Sequence, residues 1–443
     1  MGIRNTSKTL KKVRAFSNLT QENFCDGICP SQLISKYENG HTIPQPEIFS
    51  KLCSKAGLEA SMSPSFDSIE HFNTYLNLRA LHYRVMKKGN YNIVKELNEL
   101  YTTGHFTSFE YKCWLFLAYF TLRKYNIIKE NDVSLLERII NPTDSHSIAF
   151  LTPLASVLDY EILYFYSKYT SNESEELDTS VLSISEKKAL AQILSATQKY
   201  INCNSNHDLF NELILLKQNA DLFSEPRNTL PLPSSKRIHI HDIIRITRTN
   251  SNISQEELAK GLCKRSELSL YEKGKIRLPL IIQECLLERL SYFDSIFTIM
   301  GKPTESFLYN VRENYYKGRY ISSDTIRQLG VSSRKNTEQA IILQFKLLND
   351  ACKDKTHPDK ELLLKAIKLT YKDFDPHFIH KMKLTKNELE IINQLARAHF
   401  IENETEIGEL FLKELFEFYK INPYTAIFTN AKDFTLKTIK EKY

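Results

Sequence analysis

The histidines are the first side chains to weigh as reactive groups, because imidazole serves both as a metal ligand and as a general base. His377 and His380 stand three residues apart, close to Asp375. Two histidines at helical spacing can share a metal ion, but a zinc site needs three or four protein ligands, and the sequence implies no third one here. We therefore predict that both histidines lie at the surface and that the chain holds no metal.

The other reactive side chains form no catalytic pattern. The HExxH, GxSxG and Walker motifs are absent from the sequence, and Glu173, Glu175 and Glu176 are typical of a solvated acidic loop. The eight cysteines include no CxxC pair and have no histidine cluster beside them, so we expect reduced side chains that pack as small apolar groups. The sequence thus predicts that the protein is not an enzyme and uses no cofactor.

Composition favours an all-α fold. The 443 residues include only 12 glycines and 14 prolines, whereas turn-rich β folds need many of both. Apolar residues make up 42% and charged residues 25%, as in ordinary soluble domains. The longest dense apolar stretch, Trp114 to Phe120, is too short to cross a bilayer. Because we also find no secretory segment, we expect a cytoplasmic protein with no membrane partner.

An internal repeat organises these elements. Thr20–Gly40 (TQENFCDGICPSQLISKYENG) aligns without a gap with Ser254–Gly274 (SQEELAKGLCKRSELSLYEKG), and 8 of the 21 aligned residues are identical. We call the shift along the chain from Thr20 to Ser254 the repeat offset. Between the copies, three prolines fall within eight residues, which predicts a linker because proline disfavours helix.

The repeat and the linker together divide the chain. We predict a first head at 1–62, a helical domain at 66–224, the linker at 225–235, a second head at 236–290 and a second helical domain at 291–443. Each half is thus expected to contain one head followed by one helical domain.

The repeated segment contains the caps of two short helices. In copy one, Thr20 is a predicted N-cap for the first helix, Ser31 for the second, and Asn39 and Gly40 predict where the second ends. Supporting helices on either side are predicted by apolar residues at helical spacing: Leu10, Val13, Phe16, Ile48 and Leu52. Two short helices on a tight turn with supporting helices describe a helix-turn-helix.

The pattern T/S-Q-E-x-[LF]-[AC], followed by [SR]-x-x-[IL]-S-x-Y-E-x-G, resembles the Cro/lambda-repressor-type (Xre) helix-turn-helix family in both copies. In that family the third helix enters the major groove of double-stranded DNA and its first residues meet base edges. The resemblance therefore implies a DNA-reading set in each copy: Ser31, Gln32, Ser35 and Lys36, with Gln21 at the phosphate-anchoring position, and Gln255, Lys264, Arg265, Ser266 and Ser269.

The two predicted reading sets differ in chemistry. Gln32 can bond adenine through two hydrogen bonds, and Lys36 can reach a guanine or a phosphate. In copy two, Leu270 replaces Lys36, and Glu267 would face an anionic groove, where it either reads cytosine or opposes binding. Copy two is therefore either a second reader or a scaffold that keeps the fold without reading bases.

Local charge supports DNA as a partner. Residues 1–55 and residues 236–284 each carry a net charge of +4, although the whole chain carries only +6. The positive charge is thus concentrated in the two heads, and the remainder of the chain is slightly acidic. Lysine and arginine near a phosphate backbone supply the salt-sensitive part of DNA affinity.

Residues 66–224 and 291–443 are typical of successive amphipathic helices with short connections such as Lys88-Gly89-Asn90. This arrangement resembles the Rgg/MutR transcriptional regulators of low-GC Gram-positive bacteria, and more loosely the PlcR-like peptide receptors; Leu384–Phe400 is similar to the Rgg/MutR C-terminal region. Such regulators carry one head and one tetratricopeptide-like domain, pair as dimers and bind short signalling peptides. The side chains suited to grip a peptide are Arg79, Tyr83, Tyr119 and Arg123.

The resemblance implies a tandemly duplicated transcriptional regulator that takes part in quorum sensing and is controlled by a peptide or protein ligand. Two fused units would form an intramolecular pseudo-dimer, with a homodimer as the other arrangement, and linked heads raise each other's effective concentration. Because the two reading helices differ, we expect an imperfect palindrome as operator. The alternative is an interaction scaffold or antitoxin-like protein whose helix-turn-helix units serve assembly rather than base reading.

Overall fold

The structure is a computed structural model, and it describes residues 5–56, 65–129, 132–139, 207–224, 237–292, 299–316, 336–354 and 356–422, with single positions at 162, 201, 321, 322, 324, 325 and 328. The predicted linker at 225–235 and the predicted acidic loop with Glu173, Glu175 and Glu176 lie outside these residues. The chain divides into two compact units, and the main boundary falls between His239 and Ile240. Each unit is described by itself.

Unit 1 begins with four short helices, which we name head one, and continues into longer helices. In chain order it contains α1 (Thr6–Phe16), α2 (Gln21–Cys25), α3 (Ser31–Glu38), α4 (Pro46–Lys55), β1 (Ser65–Phe66), α5 (Ile69–Lys88), α6 (Val94–Thr103), α7 (Ser108–Lys124), α8 (Ser134–Glu137), α9 (His207–Leu222) and β2 (Ile238–His239). The two strands pair antiparallel, with Ser65 opposite His239.

Unit 2 also starts with four short helices, which we name head two. It contains α10 (Ile240–Asn250), α11 (Gln255–Ala259), α12 (Arg265–Glu272), α13 (Leu280–Arg289), α14 (Pro303–Tyr316), α15 (Asn336–Ala351), α16 (Lys360–Lys368), a 3-10 helix (Pro376–Lys381), α17 (Lys386–Ile401) and α18 (Thr405–Ile421). The described residues are mostly helical (69%) and include almost no strand, which agrees with the predicted all-α class. No helix among them is long and apolar enough to cross a bilayer.

The helix ends follow from local hydrogen bonding. The Thr20 side chain accepts a hydrogen bond from the Asn23 amide (3.1 Å), as predicted for an N-cap, and Ser254 does the same for Glu257 (3.0 Å). The prediction that Ser31 caps α3 is wrong, because Pro30 occupies the N-cap and Ser31 is the first helical residue. Proline suits this place since it has no amide hydrogen to satisfy.

The core of unit 1 is centred on α7. Trp114, Phe116 and Tyr119 are fully buried, and the Trp114 indole donates a hydrogen bond to the Leu97 carbonyl of α6 (3.0 Å). Because α7 is apolar on nearly every side, α5, α6, α8 and α9 can all contact it. Of these helices, α9 is the most distant from α7 in sequence.

The core of unit 2 lies between α15, α16, α17 and α18, where Phe345, Ile367 and Leu395 are fully buried. The α17 helix begins with a capping box in which Thr385 and Glu388 satisfy each other's backbone amides. Burial on this scale supplies most of the folding free energy of an α-helical unit.

Candidate nucleic-acid interface

A buried glutamate holds the three-helix centre of head one together. The guanidinium of Arg14 on α1 donates two hydrogen bonds to Glu38 at the end of α3, through Nε (2.6 Å) and Nη2 (3.1 Å). Gln21, the first residue of α2, donates its side-chain amide to the same carboxylate (2.8 Å). The Arg14 Nη1 also donates to the Leu19 carbonyl (3.1 Å). One carboxylate thus fixes α1, α2 and α3 relative to one another.

Head two contains the same network at the repeat offset. Arg248 donates to Glu272 through Nε (2.6 Å) and Nη2 (3.0 Å), Gln255 donates its amide to that carboxylate (2.7 Å), and Arg248 Nη1 reaches the Ile253 carbonyl (2.9 Å). Both glutamates are 3% exposed, so each needs a charged partner. Hydrogen bonding to Glu38 raises the pKa of Arg14 above its ordinary value.

The turns of the two heads also match. Asn18 and Asn252 have φ values of 51° and 54°, Gly27 and Gly261 have 71° and 70°, and Gly40 and Gly274 have 73° and 68°. These left-handed conformations favour glycine and, less strongly, asparagine. Each pair is related by the repeat offset, so the likeness of the two heads extends from sequence to backbone.

The predicted reading residues of head one come together on the outer face of α3. Ser31, Gln32 and Lys36 are exposed and Ser35 is half-buried, while Ile34 and Tyr37 face inward. The structure places no side-chain cap on α3. Gln21, the predicted phosphate anchor, is half-buried, and one N–H of its amide serves Glu38. An amide nitrogen carries two N–H groups, and the second is what a phosphate contact would use.

Head two presents the corresponding face with another composition. Lys264, Arg265 and Ser266 are exposed, Ser269 is half-buried, and Gln255 is engaged with Glu272 in the way that Gln21 is with Glu38. Glu267, which the pattern predicts to face an anionic groove, turns back and accepts a hydrogen bond from the Lys264 amide (2.9 Å). Its carboxylate therefore caps α12, a role that sequence reasoning missed although glutamate at this position is a known capping signature.

The exposed cations lie at different places in the two heads. In head one they lie on three helices: Lys8, Lys11 and Lys12 on α1, Lys36 on α3, and Lys51 and Lys55 on α4. In head two they are spread from α10 to the residues beyond α12: Arg245, Lys260, Lys264, Arg265, Lys273, Lys275 and Arg277. Arg14 and Arg248 contribute to the net charge of +4 of their heads, but their guanidinium groups are paired with Glu38 and Glu272. Each head still presents exposed positive charge beside the outer face of its third helix.

Head two is joined to the rest of unit 2 by buried ion pairs. Arg289, the last residue of α13, donates to Glu388 on α17 (2.8 Å), and both side chains are 0% exposed. The same guanidinium donates to the carbonyls of Leu258 (3.0 Å) and Lys260 (2.6 Å) at the end of α11. A cation is favourable at a helix C-terminus. Arg289 thus links the end of α11 to α17.

A second ion pair and one close backbone approach strengthen this junction. Arg312 on α14 donates to Glu288 (3.2 Å), whose carboxylate also accepts from the Lys386 amide (3.0 Å). At the turn between α11 and α12, a Cβ on Gly261 would lie 2.5 Å from the Thr370 Cα. The equivalent Gly27 of head one has open space at that position. The charged and glycine positions of this junction could not be recognised from sequence, because their partners lie far along the chain.

The predicted peptide-gripping residues fall into two groups. Arg79 and Tyr83 on α5 are half-buried. Tyr119 and Arg123 on α7 are 0% and 2% exposed, and the Arg123 guanidinium donates to the Tyr119 hydroxyl (3.3 Å) inside the core. A peptide would therefore have to enter the core to reach the second pair.

The histidines are engaged with carboxylates. His377 bonds to Asp375 (2.8 Å) and is largely exposed, whereas His380 is half-buried beside Glu414. Within the described residues, Asp67, His71 and His105 are the one group whose donor atoms all lie within 4.8 Å of one another. However, His71 accepts from the Asp67 amide through Nδ1 (3.1 Å) and its Nε2 lies 3.0 Å from Glu110, and Asp67 pairs with Arg237 (2.8 Å). These contacts explain the group as a structural link.

Comparison with known proteins identifies no relative of this chain. No family model matches the sequence, and no curated protein or solved structure matches it significantly. Interpretation of the two heads therefore depends on their own geometry.

Proposed function

We propose that the protein is a sequence-specific DNA-binding transcriptional regulator whose two heads are helix-turn-helix domains of the lambda-repressor type. The observation that carries the proposal is the repeated network: Arg14, Gln21 and Glu38 in one head, and their counterparts at the repeat offset in the other. The network fixes the helix before the turn against the helix after it, and an orientation set in this way is what major-groove reading requires.

The outer faces of α3 and α12 supply the chemistry. Gln32 has the amide geometry for adenine N6 and N7, and Lys36 can reach guanine or a phosphate. Exposed lysines beside these faces would bind phosphates and give a salt-dependent affinity. Because the two faces differ, a single chain would act as a pseudo-dimer on an imperfect palindrome, with the helical domains as tetratricopeptide-like bodies that receive a peptide or protein ligand.

A second candidate function is assembly without base reading. The observation that favours it is the junction in unit 2, where all ten residues of α13 are buried and Arg289 is paired with Glu388. A head that is packed this closely against the rest of unit 2 could serve as an interaction scaffold. The outer face of α12 nevertheless stays exposed at Arg265 and Ser266, so a head anchored in this way can still meet DNA.

Affinity for duplex DNA as a function of salt separates the two candidates. The full chain is titrated with a duplex from its own upstream region and with a shuffled duplex, between about 50 and about 200 mM salt. A reader that makes six or more phosphate contacts loses affinity by about 10³-fold over this range and keeps its preference for the unshuffled duplex. Weak binding with no preference at any salt concentration would favour the scaffold.

A further inference from the structure

The two third helices bury and expose the same positions. Along Ser31–Glu38 and Arg265–Glu272, the order of exposed, half-buried and buried side chains is identical residue by residue. Since the same Arg–Glu–Gln network holds both helices, equivalent positions of α3 and α12 would meet equivalent positions of a bound groove. Differences between the two faces are therefore differences in what each head can recognise.

Leu270 is the largest of these differences. It takes the place of Lys36 and is 40% exposed, and within α12, all of whose residues the structure describes, it is the one large apolar side chain left exposed. The neighbouring Arg265 and Ser266 are exposed and polar or charged. Lys273 and Lys275 add further positive charge just beyond the helix.

The charge near Leu270 indicates what kind of surface this side chain would contact. An exposed apolar side chain on a helix that also exposes Arg265, with Lys273 and Lys275 just beyond it, is complementary to an anionic surface that carries a small apolar group. In the major groove of DNA, thymine presents such a group, because its C5 methyl lies among base edges and between phosphate rows. Guanine, cytosine and adenine carry no methyl group there.

We infer that Leu270 makes head two a thymine-methyl reader, so that one half of the operator is recognised through a methyl contact and the other half through the hydrogen bonds of Gln32 and Lys36. This inference depends on the proposed function. Arg265 can bond guanine, and Ser266 and Ser269 bond to several bases alike, so Leu270 is the side chain of this face that can distinguish thymine by its methyl group.

Replacing thymine by uracil tests this directly, because uracil pairs identically and lacks only the methyl. Duplexes that bind the full chain are selected from a randomised pool, and the half-site weakened by Gln32→Ala is assigned to head one. Each thymine of the selected duplex is then changed singly to uracil. One position in the other half-site should lose about fourfold in affinity, which equals about 0.8 kcal/mol for one buried methyl group at about 1.4 kcal/mol per factor of ten.

Exchanging the two residues provides the decisive variants. Leu270→Lys should remove the uracil effect, and Lys36→Leu, with its duplex selected again from the randomised pool, should create one in the half-site of head one. Leu343→Lys is the matched control, because Leu343 on α15 is also 40% exposed and lies outside both heads, so its uracil effect should equal that of the natural chain. Thermal unfolding shows whether each variant is folded.

The outcomes separate this inference from the function on which it depends. A chain that selects no sequence contradicts both. A chain that selects a sequence but binds thymine and uracil equally at every position contradicts the methyl contact alone. A uracil effect that survives in Leu270→Lys assigns the methyl contact to another residue and also overturns the inference.

Discussion

Arg14 and Glu38 form a two-point hydrogen bond, with Nε to Oε1 at 2.6 Å and Nη2 to Oε2 at 3.1 Å, and Arg248 and Glu272 repeat it at 2.6 and 3.0 Å. The carboxylate is almost fully buried in each head and is shared with a glutamine. Paired charges with satisfied hydrogen bonds tolerate burial, whereas a single buried charge does not. The pair therefore specifies how the helices of each head meet.

The first prediction concerns this carboxylate. Glu38→Ala leaves Arg14 and Gln21 without their shared acceptor and should destabilise head one by roughly 2–3 kcal/mol. Hydrogen exchange resolved along the chain would show faster exchange in α1 to α4. The matched control is Glu22→Ala, because Glu22 is also identical in the two copies but is exposed. Equal effects of the two substitutions would contradict the role assigned to Glu38.

The second prediction concerns base reading by head one. Gln32→Ala with Lys36→Ala should reduce affinity for a selected duplex by about 10- to 100-fold for each base-edge hydrogen-bonding pair removed, while affinity for shuffled DNA changes little. Lys51→Ala is the control, since Lys51 is an exposed lysine of the same head on α4. Competition binding measures both affinities. If the double variant keeps the sequence preference, head one is not a reader.

The third prediction uses the repeated glycines. Gly27→Ala and Gly261→Ala each force a side chain into a left-handed conformation, at a cost of about 1–2 kcal/mol. Only Gly261→Ala also meets backbone, at Thr370, so the free energy of unfolding should fall by about a further 1–3 kcal/mol. Chemical denaturation gives both values. An equal loss of unfolding free energy in the two variants would show that the α11–α12 turn does not pack against the rest of unit 2.

The fourth prediction concerns pH and the buried Glu390 of α17. Burial raises the pKa of this carboxyl, although a hydrogen bond from Gln394 (2.8 Å) and the charge of Arg397 oppose the shift. The folded chain thus holds this proton to higher pH than the unfolded chain does, and the stability contributed by the group is lost as pH rises from the unfolded pKa through the folded pKa.

Glu390→Gln removes that loss. The variant should unfold at a higher temperature than the natural chain at pH 8, and the difference should shrink toward pH 4. Thermal unfolding at several pH values measures this, with the exposed Glu361→Gln as control. A difference that stays constant with pH would mean that Glu390 is not held protonated by burial.

Several elements could be predicted because they depend on neighbouring residues. The N-caps at Thr20 and Ser254 and the helix end at Asn39-Gly40 follow from local hydrogen bonding and backbone preference, and the structure has all of them. Ser31 is misassigned from sequence because both serine and the preceding Pro30 suit the start of a helix, and the choice depends on backbone angles that the pattern does not contain.

Other features depend on distant partners. The Arg14–Glu38 pair lies partly outside the aligned segment, yet applying the repeat offset upstream pairs Arg14 with Arg248 and would have revealed it. Arg289 and Glu388 give no such indication, because charged residues are usually exposed and their burial depends on each other. Tyr119 and Arg123 are suited by residue type to grip a peptide, but both are buried in the core around α7, and that burial depends on helices from distant parts of the chain.

A nucleotide-resolution footprint of the full chain on its own upstream DNA tests base reading by both heads in one experiment. We expect two protected half-sites of different sequence, one lost in the Gln32→Ala, Lys36→Ala variant and the other altered in Leu270→Lys. Uniform protection without a defined site, or two half-sites of identical sequence, would contradict this expectation.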